Sequence, residues 1–202
     1  MQLTDLKNRK DVGLLLNALG LRGLGLEIGV AFGENAYEIL KKWEGHGLFL
    51  VDPWKKWDEG EYIDGSADID FDGAFNNCMD RLSIFPARTI ALRMVSDDAL
   101  DLFPDEHFDF VYVDGNHHLP QVKRDVEKWY KKVKPGGLFG GHDYYTTDES
   151  YYKCDVEKTV DTFVKENGLE NSFHTTKEDP LDQSWWILKP KPQPKVISNT
   201  KK

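Results

Sequence analysis

The chain has 202 residues, 40% hydrophobic and 30% charged, and its 35 acidic side chains against 26 Lys and Arg leave a formal net charge of -9. A domain typically takes roughly 100–200 residues, so this length suits one domain with a real core and excludes disorder along most of the chain. The acidic balance lacks the basic footprint with which nucleic-acid binders gather phosphates, so no nucleic-acid partner is expected, and a small ligand that is not polyanionic, or is cationic, fits better.

Cys78 and Cys154 are the two cysteines and form no C-x-x-C pair. Neither a disulfide framework nor a thiolate zinc site is indicated, and a reducing compartment is expected. The longest apolar stretch, Gly13 to Gly33, is interrupted by Asn17, Arg22 and Glu27, whereas a membrane span needs about 20 mainly apolar residues. No membrane span is expected. Asp5 and its polar neighbours stand where a signal peptide would carry its apolar core, so the chain reads as soluble and cytoplasmic.

Val12, Leu15, Leu16 and Leu19 repeat at helical spacing and stop at Gly20, which predicts a leading helix. Gly25 to Val30 is short, apolar and bounded by glycine, and Ala36, Ile39, Leu40 and Trp43 follow at helical spacing: strand, glycine turn, helix. The unit recurs. Leu48–Val51 ends in Asp52-Pro53, Thr89–Leu92 ends near Ser96-Asp97, and Phe108–Val113 ends in Asp114-Gly115, each a continuous apolar run of the kind a buried parallel strand requires. One helix between them is marked by Phe71, Phe75, Met79 and Leu82. Another is marked by Val122, Val126, Trp129, Tyr130 and Val133, stopped by Lys134-Pro135-Gly136-Gly137, with a fifth strand starting at Leu138.

A further helical stripe, Val156 to Val164, ends at Asn167-Gly168. The runs Ser172–Thr176 and Ser184–Leu188 are too close for a helical crossover and are expected to pair as an antiparallel hairpin at the edge of an otherwise parallel sheet. The fold class is therefore α/β and doubly wound. Trp54 to Gly73 is acidic, aromatic and without periodicity, which suggests a lid or substrate loop. Residues 1–189 read as the domain, and 190–202 as a flexible tail rich in Pro and Lys.

In open α/β sheets ligands bind beyond the carboxyl ends of the strands. The first end, Glu27-Ile28-Gly29-Val30-Ala31-Phe32-Gly33, can turn tightly and let a ligand approach bare backbone, or it is an ordinary glycine turn. Its spacing does not match the G-x-G-x-x-G of a dinucleotide site. Asp52 either accepts ribose hydroxyls or caps the turn before Pro53. Ser96 or Asp97 suits the N-cap of the next helix, a role compatible with adenine recognition. The fourth and fifth ends carry Asp114-Gly115-Asn116-His117-His118 and His142-Asp143, which hold three of the six histidines. Parallel neighbours lie about 4.8 Å apart, so Asp114 and Asp143 could share one divalent cation beside an imidazole base, or each could cap a turn.

Glu27-Ile28-Gly29-Val30-x-x-Gly33, Asp52-Pro53-Trp54, Phe108 to His117 and Pro135 to Tyr144 together resemble class I S-adenosylmethionine-dependent methyltransferases. Within them, the D-G-x-H and G-G-x-x-x-x-H-D strings are similar to the metal-dependent sugar O-methyltransferase branch. The resemblance implies a Rossmann-like sheet, a cofactor loop of Glu27, Gly29 and Gly33, ribose binding by Asp52, and Ser96 with Asp97 beside the adenine. It implies Mg²⁺ on Asp114 and Asp143, with His117 as general base. Relatives commonly place an acid before the second metal aspartate where this chain has His142, which as a third ligand would favour Mn²⁺.

The expected activity is methyl transfer from S-adenosylmethionine to a hydroxyl of a sugar or glycan, with Trp54, Trp57 and Tyr62 offering flat surfaces to the ring. Alternatives are an acceptor with another vicinal diol or a catechol-like ring, and a non-catalytic module that only binds S-adenosylmethionine. A homo-oligomer and neighbouring glycan-synthesis domains are the partner arrangements left open.

Overall fold

The structure is a computed structural model and describes residues 1–55, 70–147, 153–179 and 182–192. Seven strands form one sheet in the order β3-β2-β1-β4-β5-β9-β8. They are β1 (Leu24–Ile28), β2 (Gly47–Asp52), β3 (Thr89–Arg93), β4 (Phe108–Val113), β5 (Val133–Gly141), β8 (Phe173–Asp179) and β9 (Asp182–Leu188). The first five run parallel, and β9 pairs antiparallel with both β5 and β8. The doubly wound α/β sheet with a C-terminal antiparallel hairpin is thus present. A second, two-stranded ribbon joins β6 (Thr146–Thr147) to β7 (Cys154–Asp155).

Helices cover both faces, which is why the central strands can be apolar on both sides. On one face α1 (Val12–Ala18), α2 (Glu34–Lys42) and α3 (Phe71–Leu82) bury Leu15, Leu16, Ile39, Leu40 and Leu82 against Leu48, Leu50 and Phe110. On the other, α4 (Ser96–Leu100), α5 (Gln121–Lys132) and α6 (Val156–Glu166) bury Val126, Trp129, Val160 and Val164 against Leu26, Val51, Val111 and Phe139. The chain order reverses between β1 and β4, so the crevice of a doubly wound sheet opens above those two strands.

Three boundaries depart from the sequence reading. β1 stops at Ile28 because Gly29 has φ +75°, so Val30 belongs to the loop. β5 begins at Val133 rather than Leu138: a register shift opposite Phe108 and Phe110 absorbs Pro135-Gly136, with Gly136 at φ +83°. The residue before α4 is Val95, with no side-chain cap, so Ser96 and Asp97 sit inside the first turn instead of capping it. The hydrogen-bonding power of Ser96 is spent elsewhere. Most of the expected lid, 56–69, and residues 193–202 of the expected tail lie outside the described residues. No helix among the described residues is long and apolar enough to cross a membrane.

Candidate functional site

A cleft of about 900 Å³ opens at the carboxyl ends of β1, β2 and β4, lined by Glu27, Gly29, Asp52, Ser96, Asp97 and Asp114 among others. With His117, which lines it too, seven of the candidate site residues therefore share one cavity. Gly33 does not line it. Gly33 is the left-handed N-cap of α2 at φ +74°, and a Cβ there would lie 2.7 Å from Cys78 Sγ.

The loop after β1 is held by Asp52. Its Oδ2 accepts the N–H groups of Val30 at 2.8 Å and Ala31 at 3.0 Å, while Oδ1 accepts the N–H of Trp54 at 2.7 Å. One carboxylate thus fixes both the glycine loop and the Asp52-Pro53-Trp54 turn. At Gly29 a Cβ would meet the Asp114 carbonyl oxygen at 1.8 Å, so a glycine is required for β1 and β4 to end side by side, whatever approaches from the cleft. Trp54 is 1% exposed, packs edge-on against Phe75 and donates its indole N–H to Ala31 O at 2.8 Å. Packing takes up the ring that was expected to face a sugar, and Trp57 and Tyr62 lie outside the described residues.

Glu27 is buried within β1 but reaches the cleft. Its Oε1 accepts from Asn35 Nδ2 at 3.1 Å, and its Oε2 has no hydrogen-bond partner among the described residues. Burial pushes the carboxyl up to about 8, against the smaller opposing pull of Asn35. A buried carboxyl that lacks compensating charge and faces a cleft would give up its proton to a cationic ligand group, and the sulfonium and ammonium of S-adenosylmethionine are of that kind.

At the other side of the cleft, Ser96 Oγ donates to Asp125 Oδ1 at 2.6 Å, and Gln121 Nε2 reaches the same oxygen at 3.2 Å. Burial raises Asp125 to about 6, although these hydrogen bonds pull the other way. Arg124 Nη1 pairs with Asp97 Oδ2 at 3.1 Å. Ser96 and Asp97 are therefore oriented by α5, a link that no local motif announces.

The ends of β4 and β5 meet as expected: Val113 pairs with Gly141, and the His142 N–H donates to Val113 O at 3.1 Å. Asp143 follows in the left-handed conformation, φ +51°. His117 Nε2 lies 2.9 Å from Asp143 Oδ2 and 3.9 Å from Asp114 Oδ1. His142 Nδ1 lies 3.2 Å from Asp143 Oδ2 and 3.9 Å from Asp114 Oδ1. Burial lowers the two imidazoles, but the bonds and charges of Asp114 and Asp143 prevail, raising His117 to about 10 and His142 to about 9. Burial likewise opposes ionisation of Asp143, yet the two histidines hold its carboxyl well below the usual range. His118 is pulled below its ordinary value by partial burial and by the His117 charge beside it.

Asp114, His117 and Asp143 each offer a ligand atom, all within 4.8 Å of one another. Two carboxylates and an imidazole form a donor set that fits a divalent cation, carboxylate oxygens suiting Mg²⁺ or Mn²⁺ and the nitrogen tilting it toward Mn²⁺. The cluster adjoins the cleft, which Asp114, His117 and His118 line. Sequence reasoning missed Arg9: it comes from a 3₁₀ turn, Arg9–Asp11, lines the cleft, and places Nη1 3.9 Å from Asp114 Oδ2.

Residues 26–144, more than half of the chain, match a family described as a methyltransferase domain. A sterol 24-C-methyltransferase of Gibberella zeae is 37% identical over 60 residues, 29% of this chain and 16% of that enzyme. The chain thus spans about a sixth of the length of that curated relative. Among solved structures, an O-methyltransferase from Bacillus cereus in complex with SAH superposes with a TM-score of 0.61 at 14% identity, over 93% of this chain and 84% of that one. An O-methyltransferase from Streptomyces achromogenes involved in tomaymycin synthesis, in complex with SAM, gives 0.57 at 14% identity, over 90% and 79%. At such identities the likeness is one of fold.

Proposed function

The chain belongs to the methyltransferase-domain family, and on that premise we propose that it moves a methyl group from S-adenosylmethionine to a hydroxyl of a sugar or glycan, with a divalent cation and a histidine base. The observation that carries the reading is the junction of two features: a cleft floored by the Gly29 loop and the buried Glu27, and beside it the Asp114–His117–Asp143 cluster. The SAH and SAM of the two structural neighbours support the cofactor.

In this reading Glu27 and the backbone of the Gly29 loop receive the cationic end of the cofactor, and Ser96 and Asp97 face its adenosine end. Asp52, whose Oδ2 holds the glycine loop while Oδ1 holds the turn at Trp54, acts on the ribose side chiefly by shaping those two segments. Asp114 and Asp143, with His142 alongside, would hold Mg²⁺ or Mn²⁺, which supplies positive charge to an acceptor oxygen as its proton leaves. The S–CH₃ bond breaks as the O–CH₃ bond forms, and His117, which the two carboxylates alone keep protonated, would take the hydroxyl proton once a cation on Asp114 and Asp143 offsets their charge and releases the imidazole as a base. Removal of that proton and alignment behind the methyl are the two tasks left to the protein. Acceptor hydroxyls on neighbouring carbons suit such a site, and a vicinal diol on a sugar is the proposed form. The proposed setting is the cytoplasm, with residues 1–189 as the working domain.

One observation favours a second assignment within the same function. His117 lies within 4.8 Å of both carboxylates as a ligand atom would, and His118 also lines the cleft. If His117 ligates the cation, His118 is left as the base.

Calorimetric titration with S-adenosylmethionine tests the foundation. Saturable binding is expected in the wild type and none in Gly115→Leu, because a side chain at Gly115 meets only Ile28 Cγ2, at 3.4 Å, and would otherwise extend into the cleft. Binding of NAD in place of S-adenosylmethionine would overturn the reading.

A further inference from the structure

We infer that Asp155 is a positioning residue that sets the His117 loop against the Asp143 loop. Asp155 and its neighbour Cys154 form β7, and together they touch the chain segments that follow both β4 and β5. The Asp155 N–H donates to His117 O at 2.9 Å, and Asp155 Oδ2 accepts the Leu119 N–H at 3.2 Å. The same residue therefore brackets the loop on both sides of His118. Cys154 Sγ contacts Tyr145 O at 3.2 Å and Asp143 O at 3.5 Å. A strand of two residues thus links the two loops whose side chains meet at the His117–Asp143 contact.

The link is rigid because of where it is rooted. Asp155 is 5% exposed and leads directly into α6, whose Val156, Val160 and Val164 are buried in the core. Leu119, by contrast, is 42% exposed, and its N–H is held by the Asp155 carboxylate while the carbonyls of His118 and Pro120 on either side accept from Val122 and Arg124 of α5. Such a loop, released at one end, lets an imidazole drift, and a displacement of about 1 Å at a reacting group can cost about a hundredfold in rate. The catalytic half of this inference rests on the proposed function; the structural half does not.

The bond from Leu119 needs an acceptor oxygen, not a charge, which gives a discriminating set of variants in the full chain. Asp155→Asn keeps an acceptor at the same place and should keep both the slow exchange of the Leu119 amide and a kcat within about threefold of wild type. Asp155→Ala removes it and should speed that exchange and lower kcat about ten- to a hundredfold, with unchanged affinity for S-adenosylmethionine by calorimetry. Asp155→Glu moves the acceptor by one methylene and should resemble Ala, which keeps the comparison decisive if the Ala variant does not fold. Slow Leu119 exchange in Ala and Glu, or an Asn variant as damaged as Ala, would overturn the inference, as would a parallel loss of cofactor affinity. A wild type that binds S-adenosylmethionine but methylates nothing would overturn the proposed function, and the Leu119 exchange would still decide whether Asp155 holds the loop.

Discussion

His117 and Asp143 belong to loops that follow adjacent parallel strands, and their side chains meet with Nε2 2.9 Å from Oδ2. The contact joins the loop after β4 to the loop after β5 at the edge of the cleft. It also places Asp114, three residues before His117, on the same small volume. A carboxylate pair of this kind is costly to bury without compensating positive charge, which here comes from two imidazoles and is open to supply by a cation.

The base assignment is tested by paired alanine variants. His117→Ala is expected to lower kcat by about 10²–10⁴-fold while S-adenosylmethionine affinity stays nearly constant, and His118→Ala to cost far less. The reverse order in steady-state kinetics would move the base to His118 and leave His117 as a ligand. Loss in neither variant would leave activation of the hydroxyl to the cation alone.

Glu27 makes the stability of the ligand-free protein depend on pH. Its carboxyl titrates near 8 in the folded chain against an ordinary 4.5. Between those values the unfolded chain has lost the proton and the folded chain keeps it, so stability falls as pH rises through that window, on the order of a few kcal/mol. Below 4.5 both states are protonated and the term vanishes. Glu27→Gln should remove it, so the Tm difference between variant and wild type should grow in the variant's favour from pH 5 to pH 8. A difference that is flat across thermal melts in that range would show that Glu27 is ionised when buried.

The two glycines at the cleft should behave in opposite ways. Gly29→Ala puts a Cβ 1.8 Å from a backbone oxygen at a φ of +75°, and such left-handed strain alone costs about 1–3 kcal/mol before the clash is added. A marked drop in Tm is expected. Gly115→Leu should melt near the wild-type temperature yet fail to bind S-adenosylmethionine. Equal melting temperatures for wild type and Gly29→Ala would contradict the close packing of the β1 and β4 ends.

The strand-and-helix order was readable because strands buried on both faces are continuous apolar runs, as in Phe108–Val113, and because Phe71, Phe75 and Leu82 repeat at helical spacing. The residues at the strand ends were readable for the same reason: once a strand is placed, its carboxyl end locates Asp52, Asp114 and Asp143. Punctuation misled at β5, where Pro135-Gly136-Gly137 reads as a loop but is carried inside the strand by a register shift. Relations across the chain left no local trace. Asp125 holds Ser96 from another helix, Arg9 arrives at Asp114 from the N-terminal segment, and Asp155 grips the His117 loop from a ribbon too short to show periodicity.

The most direct test of the central claim is methyl transfer from labelled S-adenosylmethionine to a panel of sugars with vicinal hydroxyls, run beside a catechol, after exhaustive chelation and again with Mg²⁺ or Mn²⁺ restored. The expected result is label in a sugar ether only when the cation is present, with activity lost by at least about a hundredfold in Asp114→Asn and Asp143→Asn, and a changed metal preference in His142→Ala. Undiminished transfer by the chelated protein or by both Asn variants would remove the cation from the chemistry, and label entering the catechol but no sugar would contradict the proposed acceptor.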